Sequence, residues 1–154
     1  MTEIVDSSIW LGSKNDAEDI NFLLKNKITH VINVCGELAR PEFLSKPEHV
    51  RERVKNIQYY ELQALDHPMY PILEKHGNQI STLMDSIFKE NHNHRVLIHC
   101  YAGINRSATL LIHFLKQCVF PDESIYQVIK NVKQLRPIIL SNKGFESQLL
   151  SLFR

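Results

Sequence analysis

The sequence predicts an α/β domain, and three stretches carry that expectation. Val96-Leu97-Ile98 is a continuous apolar run of the kind a buried strand makes, and Ile104 to Leu115 behind it carries apolar residues at helical spacing. His30 to Val34, reading HVINV, is a second strand, and its carboxyl end is where an α/β sheet places ligands. Ile72 to Glu90 is a long amphipathic helix with Ile80, Leu83, Met84, Ile87 and Phe88 facing the core.

The remaining elements follow in order. Ile4-Val5 and Ile9-Trp10-Leu11 flank the polar turn Asp6-Ser7-Ser8, a small hairpin ended by Gly12, with Trp10 in the core. Asn15 and Glu18 have capping-box spacing before a helix face made by Ala17, Ile20, Leu23 and Leu24. Residues 36–56 are polar, contain Pro41 and Pro47, and read as an irregular excursion with one helical turn, a candidate for substrate preference. Its Arg40, Arg51 and Arg53 either meet a phosphorylated partner or face water. Ile57 to Leu62 is a strand, and Pro68 and Pro71 fix the turn after it. Asn91-His92-Asn93-His94 ends the long helix; its two histidines have no further ligand nearby and suit a solvated loop. Pro121 to Ser124 opens a helix buried through Ile125, Val128, Ile129 and Val132, Arg136-Pro137 stops it, and a last helix starts near Asn142. Cys118 reads as a packed, inert thiol.

Composition narrows the class. A chain of 154 residues fits one domain with a sizeable core, so residues 1–154 are expected to form a single unit. The net charge of +1 supplies no global field for nucleic acid or an anionic membrane, so any anion preference must come from local groups. Three cysteines without metal-ligand spacing make no disulfide framework and suit a reducing compartment. With no leader pattern after Met1 and no membrane-length apolar run, the expectation is an intracellular, cytoplasmic protein, the nucleus not excluded. Oligomeric state is not legible.

The chemistry concentrates between the central strand and its helix, in His99-Cys100-Tyr101-Ala102-Gly103-Ile104-Asn105-Arg106-Ser107. Five residues between Cys100 and Arg106 let the backbone curl so that successive N–H groups converge while the next helix aims its positive end at the same point. Residues Tyr101, Ala102, Gly103, Ile104, Asn105 and Arg106 thus make a phosphate cradle with a thiol at its floor. A helix N-terminus and a neighbouring cation lower a cysteine pKa from about 8.5 into the range ~3.5–7.5. A thiolate under a phosphate cradle attacks phosphorus and forms a phosphocysteine. Arg106 and the loop amides carry the developing charge, so this chemistry needs no metal and no cofactor.

These residues fit the pattern H-C-x-x-G-x-x-R-[ST], and the chain resembles the cysteine-based protein phosphatases, most closely the small dual-specificity branch, over nearly its whole length. The resemblance implies a mostly parallel mixed sheet of about five strands flanked by helices. It implies Cys100 as nucleophile, Arg106 as phosphate ligand, and Asp66, in its D-x-x-x-x-x-[IL] setting through Ile72, as general acid and then base. Asp85 and Asp122 fall in or beside helices and suit that task less. It further implies that His99 holds the loop, that Ser107 stabilises the departing thiolate, and that Asn142, in the R-P…N-x-G-F-x-x-Q-L ending, braces the loop. Cys35 has two readings: a small core residue, or a redox partner forming a reversible disulfide with oxidised Cys100.

The expected substrates are phosphorylated proteins, at phosphotyrosine and phosphoserine or phosphothreonine, with no membrane partner and nucleic acid disfavoured. An RNA 5′-triphosphatase or diphosphatase is the runner-up, because Gly103-Ile104-Asn105-Arg106 also matches the G-x-N-R arrangement of that branch. A non-catalytic phosphate-binding module is the reading from another class. Whether Arg40, Lys133 or Arg136 selects a phosphopeptide stays open on sequence alone.

Overall fold

The computed structural model describes residues 1–154, the side chain of Leu44 excepted. Five short strands form one mixed sheet: β1 (Thr2–Val5), β2 (Ile9–Gly12), β3 (His30–Asn33), β4 (Gln58–Glu61) and β5 (Val96–His99). Their spatial order is β1-β2-β5-β3-β4; β1 and β2 form the expected antiparallel hairpin, and every other neighbouring pair is parallel. Gly12 and Asn33 both pair with His99, and Asn33 also pairs with Glu61, so four strands end level. The loops that follow them therefore open on one edge, and Cys100 leaves the middle of it.

Alternation along the strands feeds two cores. Ile9, Leu11, Ile32, Val34, Val96 and Ile98 belong to the larger, under the helices α4 (Asn78–Glu90), α5 (Arg106–Phe114), α6 (Ile125–Leu135) and α7 (Lys143–Leu152). Trp10, Val31 and Leu97 belong to the other, under α1 (Lys14–Glu18) and α2 (Ile20–Lys25). Trp10 is buried, with the Arg95 guanidinium over its ring. Burying a side chain of this size contributes roughly 1.5–3 kcal/mol each, which is why strands of four residues hold.

The structure corrects several local expectations. The first helix is capped by Ser13, not Asn15: the Ser13 hydroxyl accepts from the Asp16 amide, and the Asp16 carboxylate accepts from the Ser13 amide at 2.8 Å. The box sits two residues earlier because Asp16, rather than Glu18, is three residues from a hydroxyl that can return the bond. Helix α1 then breaks at Asp19, whose side chain caps α2. The expected long helix from Ile72 begins with a π-helical turn, Leu73–Gly77, before α4; Ile80, Met84 and Ile87 are buried as read, while Leu83 and Phe88 are only half-buried.

A second π turn, Leu115–Val119, follows α5 and changes the environment of Cys118. That cysteine is exposed rather than packed, since the wider turn rotates it away from the face that buries Phe114 and Leu115. The excursion at 36–56 holds three 3₁₀ turns and the single-turn α3 (Glu48–Arg51). It sends Phe43 and Val54 into the second core, so it covers a sheet face as well as lining an edge. Among the described residues no helix is long and apolar enough to cross a membrane.

Candidate active site

The loop between β5 and α5 curls as its spacing predicts, and the carbonyls show how. Tyr101 O accepts from the Lys14 amide at 2.9 Å, Ile104 O from the Leu140 amide at 2.9 Å, and Gly103 O from Arg136 Nε at 2.9 Å. With these three carbonyls bonded to residues outside the loop, the amides of Ala102, Ile104 and Asn105 find no protein acceptor among the described residues. Gly103 makes the curl feasible. Its φ is +69°, and a Cβ there would lie 2.6 Å from the Gly12 carbonyl oxygen.

Cys100 lies at the bottom of this cup, 2% exposed, with its sulfur 3.2 Å from the Gly103 amide and 3.2 Å from the Ser107 hydroxyl. Burial alone would push the thiol up. The Ser107 hydroxyl and amide, the Gly103 amide and the Arg106 charge outweigh it, and the pKa falls below the ordinary thiol value. Arg106 opens α5; its NH1 donates to the Ala64 carbonyl at 3.2 Å, while its Nε is buried without an acceptor and keeps a donor for a ligand oxygen.

Cys35 is buried close enough for Cys100, Arg106 and the Tyr101 amide to act on its thiol. Burial pushes that thiol up, the opposite direction from Cys100. It is at once a core residue and a neighbour of the second thiol, so the geometry is compatible with both readings, and the two cysteines are unpaired.

His99 is fully buried, its Nδ1 donating to the Cys100 carbonyl at 3.1 Å and its Nε2 unpartnered. Burial drives its pKa down to about 4, against weaker pulls from the Cys100 carbonyl, Asp16 and Glu18. Between pH 6.5 and 4 the unfolded chain therefore binds a proton that the native chain refuses, and stability drops as pH falls through that window. The contribution is roughly 3 kcal/mol at the foot of the window. Urea midpoints at pH 7 and 4.5 check this: His99→Gln should lose about 2 kcal/mol less on acidification than the parent, and equal losses would exclude His99 as the source.

Asp66 faces the loop from the segment after β4. Its Oδ1 accepts from Asn142 Nδ2 at 2.9 Å and its Oδ2 from Asn105 Nδ2 at 3.1 Å. Asn105 Oδ1 accepts in turn from the Asn142 amide at 2.9 Å, and Asn142 caps α7 by accepting from the Phe145 amide. Asn142 thus braces the loop through Asn105 and orients Asp66 directly. The sequence-predicted set, Cys100, Arg106, Ser107, Asp66, Asn105, Asn142 and Cys35, comes together around one cup. His92 and His94 remain apart from it, His94 packed on His30 and bonded to the Ile87 carbonyl.

Three contributors were not legible as such. Arg136 fastens Gly103 and also reaches Thr2 Oγ1 at 2.9 Å. Gln148 of α7 donates to the Tyr70 carbonyl at 2.8 Å and accepts from the Leu73 amide, tying down the far end of the Asp66 segment. Gly144 packs α7 so tightly on that segment that a Cβ would fall 1.9 Å from the Pro68 carbonyl oxygen. Gly144→Ala is accordingly expected to lower stability by about 1–3 kcal/mol, read as a urea midpoint shift. An unchanged midpoint would mean that the two segments separate freely. Arg40, by contrast, forms a two-bond ion pair with Glu61, Arg51 bonds locally to the Lys46 carbonyl, and Arg53 bonds to Asn21, 32 residues away.

Comparison with known proteins places the chain in a family. The family model "Dual specificity phosphatase, catalytic domain" matches residues 9–154. Dual specificity protein phosphatase 15 of Homo sapiens is 30% identical over 149 residues, covering 97% of this chain and 45% of that protein. The chain spans about half the length of the curated relatives it matches. The crystal structure of DUSP15 superposes with a TM-score of 0.77 at 26% identity, covering 99% of this chain and 86% of that one. That of a human tyrosine phosphatase-like serine/threonine/tyrosine-interacting protein does so with a TM-score of 0.79 at 25% identity, covering 99% and 94%. The chain therefore belongs to the dual-specificity phosphatase family, within the cysteine-based protein tyrosine phosphatase superfamily.

Proposed function

We propose that residues 1–154 act as one catalytic domain that hydrolyses phosphate monoesters on tyrosine and on serine or threonine of proteins. The observation that carries this is the Cys100 sulfur at 3.2 Å from both the Gly103 amide and the Ser107 hydroxyl, at the floor of a cup whose Tyr101, Gly103 and Ile104 carbonyls are bonded to residues outside the loop.

In this reading the Cys100 thiolate attacks phosphorus in line with the ester oxygen, an S–P bond forms, and the P–O bond to the substrate breaks. Asp66 delivers its proton to the departing oxygen. The unpartnered amides of Ala102, Ile104 and Asn105 and the Arg106 guanidinium hold the equatorial oxygens, which carry the charge of the transition state. Water then attacks the phosphocysteine, Asp66 takes up its proton, and the S–P bond breaks to release inorganic phosphate and the thiolate. The Ser107 hydroxyl donates to that thiolate as it leaves, which supports its role in the second step. His99 and Asn142 support the loop and the acid without touching the reacting atoms.

Phosphate release from a phosphotyrosine peptide, a phosphothreonine peptide and 5′-triphosphorylated RNA tests the reading. Release from both peptides is expected. Release from RNA alone would make the domain an RNA phosphatase, and a folded protein that binds phosphate and releases none would be a binding module.

A further inference from the structure

The edge of the sheet around the cup is apolar where an anion site would ordinarily gather cations. Leu38, Leu65, Met69, Tyr101 and Ile138 all leave their side chains exposed, Met69 by 81%. Exposed apolar residues scattered singly need no explanation. Here each stands within a few residues of a group hydrogen-bonded to the cup or to the segment carrying Asp66.

Tyr101 belongs to the cup itself. Leu65 lies between Ala64, whose carbonyl accepts from Arg106, and Asp66, whose carboxylate accepts from Asn105. Met69 follows on the same segment, which Gln148 and Gly144 pin to α7. Ile138 lies between Arg136, bonded to the Gly103 carbonyl, and Leu140, bonded to the Ile104 carbonyl. Leu38 is on the turn that follows Cys35, and Cys35 bridges to Gln63 of the Asp66 segment. Each apolar side chain is therefore a few residues from an atom that bonds the cup or the segment carrying Asp66.

Cations on these loops and on the neighbouring helices are engaged. Arg40 pairs with Glu61 at 2.6 Å, Lys133 with Glu146 at 3.1 Å, Lys143 with the same Glu146 at 3.6 Å, and Lys14 with Glu18 at 2.6 Å. Arg136 is held by a carbonyl and a hydroxyl. A second phosphate or a run of acidic residues beside the reacting phosphate would have to break one of these pairs, whereas an apolar side chain would cover exposed hydrocarbon.

We propose that this apolar rim selects phosphorylated protein segments with aliphatic or aromatic residues next to the phosphoresidue, over acidic or doubly phosphorylated ones. The inference rests on the phosphatase reading above. The cup supplies the attraction for one phosphate, common to all substrates, and the rim discriminates among the sequences that carry it. Like the cup, the rim is held by bonds to the backbone, so little ordering is needed when a segment docks.

The test uses one phosphothreonine peptide scaffold in four versions: flanked by Leu and Phe, by Ser and Gly, by Asp and Glu, or by a second phosphothreonine. Parent protein and a Leu38→Ser/Leu65→Ser/Ile138→Ser variant are compared, with 4-nitrophenyl phosphate as a substrate that has no flanks. The parent should favour the apolar peptide over the acidic one by about tenfold or more in kcat/KM. The variant should lose that preference while hydrolysing 4-nitrophenyl phosphate at the parent's rate. Binding of the same peptides to Cys100→Ser, by fluorescence anisotropy, should show the same ranking without turnover.

Equal kcat/KM for all four peptides with normal aryl phosphate hydrolysis would overturn the rim and leave the phosphatase reading standing. No hydrolysis of any substrate, with no ranking in binding, would overturn both. Rim-dependent binding to phosphatidylcholine vesicles without peptide preference would assign these side chains to a lipid surface and overturn the proposal.

Discussion

Cys100→Ser is expected to slow phosphate release on the order of 10⁴-fold or more from every substrate, because a step formed through sulfur has no substitute. The buried sulfur is favoured as an anion by the Ser107 and Gly103 donors and the Arg106 charge against the cost of burial. A serine hydroxyl in the same place stays protonated, since the shift that suffices for a thiol does not approach what an alcohol would need. Exchanging the sulfur for an oxygen on the same side-chain frame should change the urea midpoint little, and phosphate binding by the amides should persist. Retained release within about tenfold of the parent would remove Cys100 from the mechanism. In the parent, the lowered Cys100 pKa places the acid limb of the kcat/KM profile below the ordinary thiol range.

Asp66→Asn is expected to act unequally on different leaving groups. An alkoxide from phosphothreonine needs a proton as it departs, so its release should slow by about 10²–10⁴-fold, the usual worth of general acid catalysis. A 4-nitrophenolate leaves without help, and its rate should change far less in the step that forms the phosphocysteine. The substitution is conservative in shape and can keep one of the two bonds from Asn105 and Asn142, losing about 1 kcal/mol for the other. Equal slowing of both substrates would show that Asp66 positions the loop through Asn105 and does not transfer a proton.

The two effects differ in what supports them. Cys100, Gly103, Arg106 and Ser107 occupy one short covalent segment, and the strand before it and the helix after it follow from apolar periodicity, so their chemistry was readable in order along the chain. Strand positions and the core faces of α4 and α6 were legible for the same reason: each depends on residues within one or two turns of one another. Where competition between neighbouring polar groups decided the outcome, local reading slipped, as at Ser13 and Asp16. The π turns were likewise invisible, and with them the exposure of Cys118, because an extra residue in a turn leaves no mark in the periodicity.

By itself, then, the amino-acid order determined the α/β class and the thiol with its anion cup through adjacency or short-range periodicity, while the candidate acid came from the family resemblance. Only the tertiary structure decided how the acid is held, because the bonds from Asn105 and Asn142 to Asp66 span 39 and 76 residues. The same is true of the Arg136 fastening of Gly103, across 33 residues, and of the contact between Gly144 and Pro68. Such contacts form only when level strand ends and packed helices bring remote loops to one edge, and no pattern in a linear chain encodes which loop will meet which.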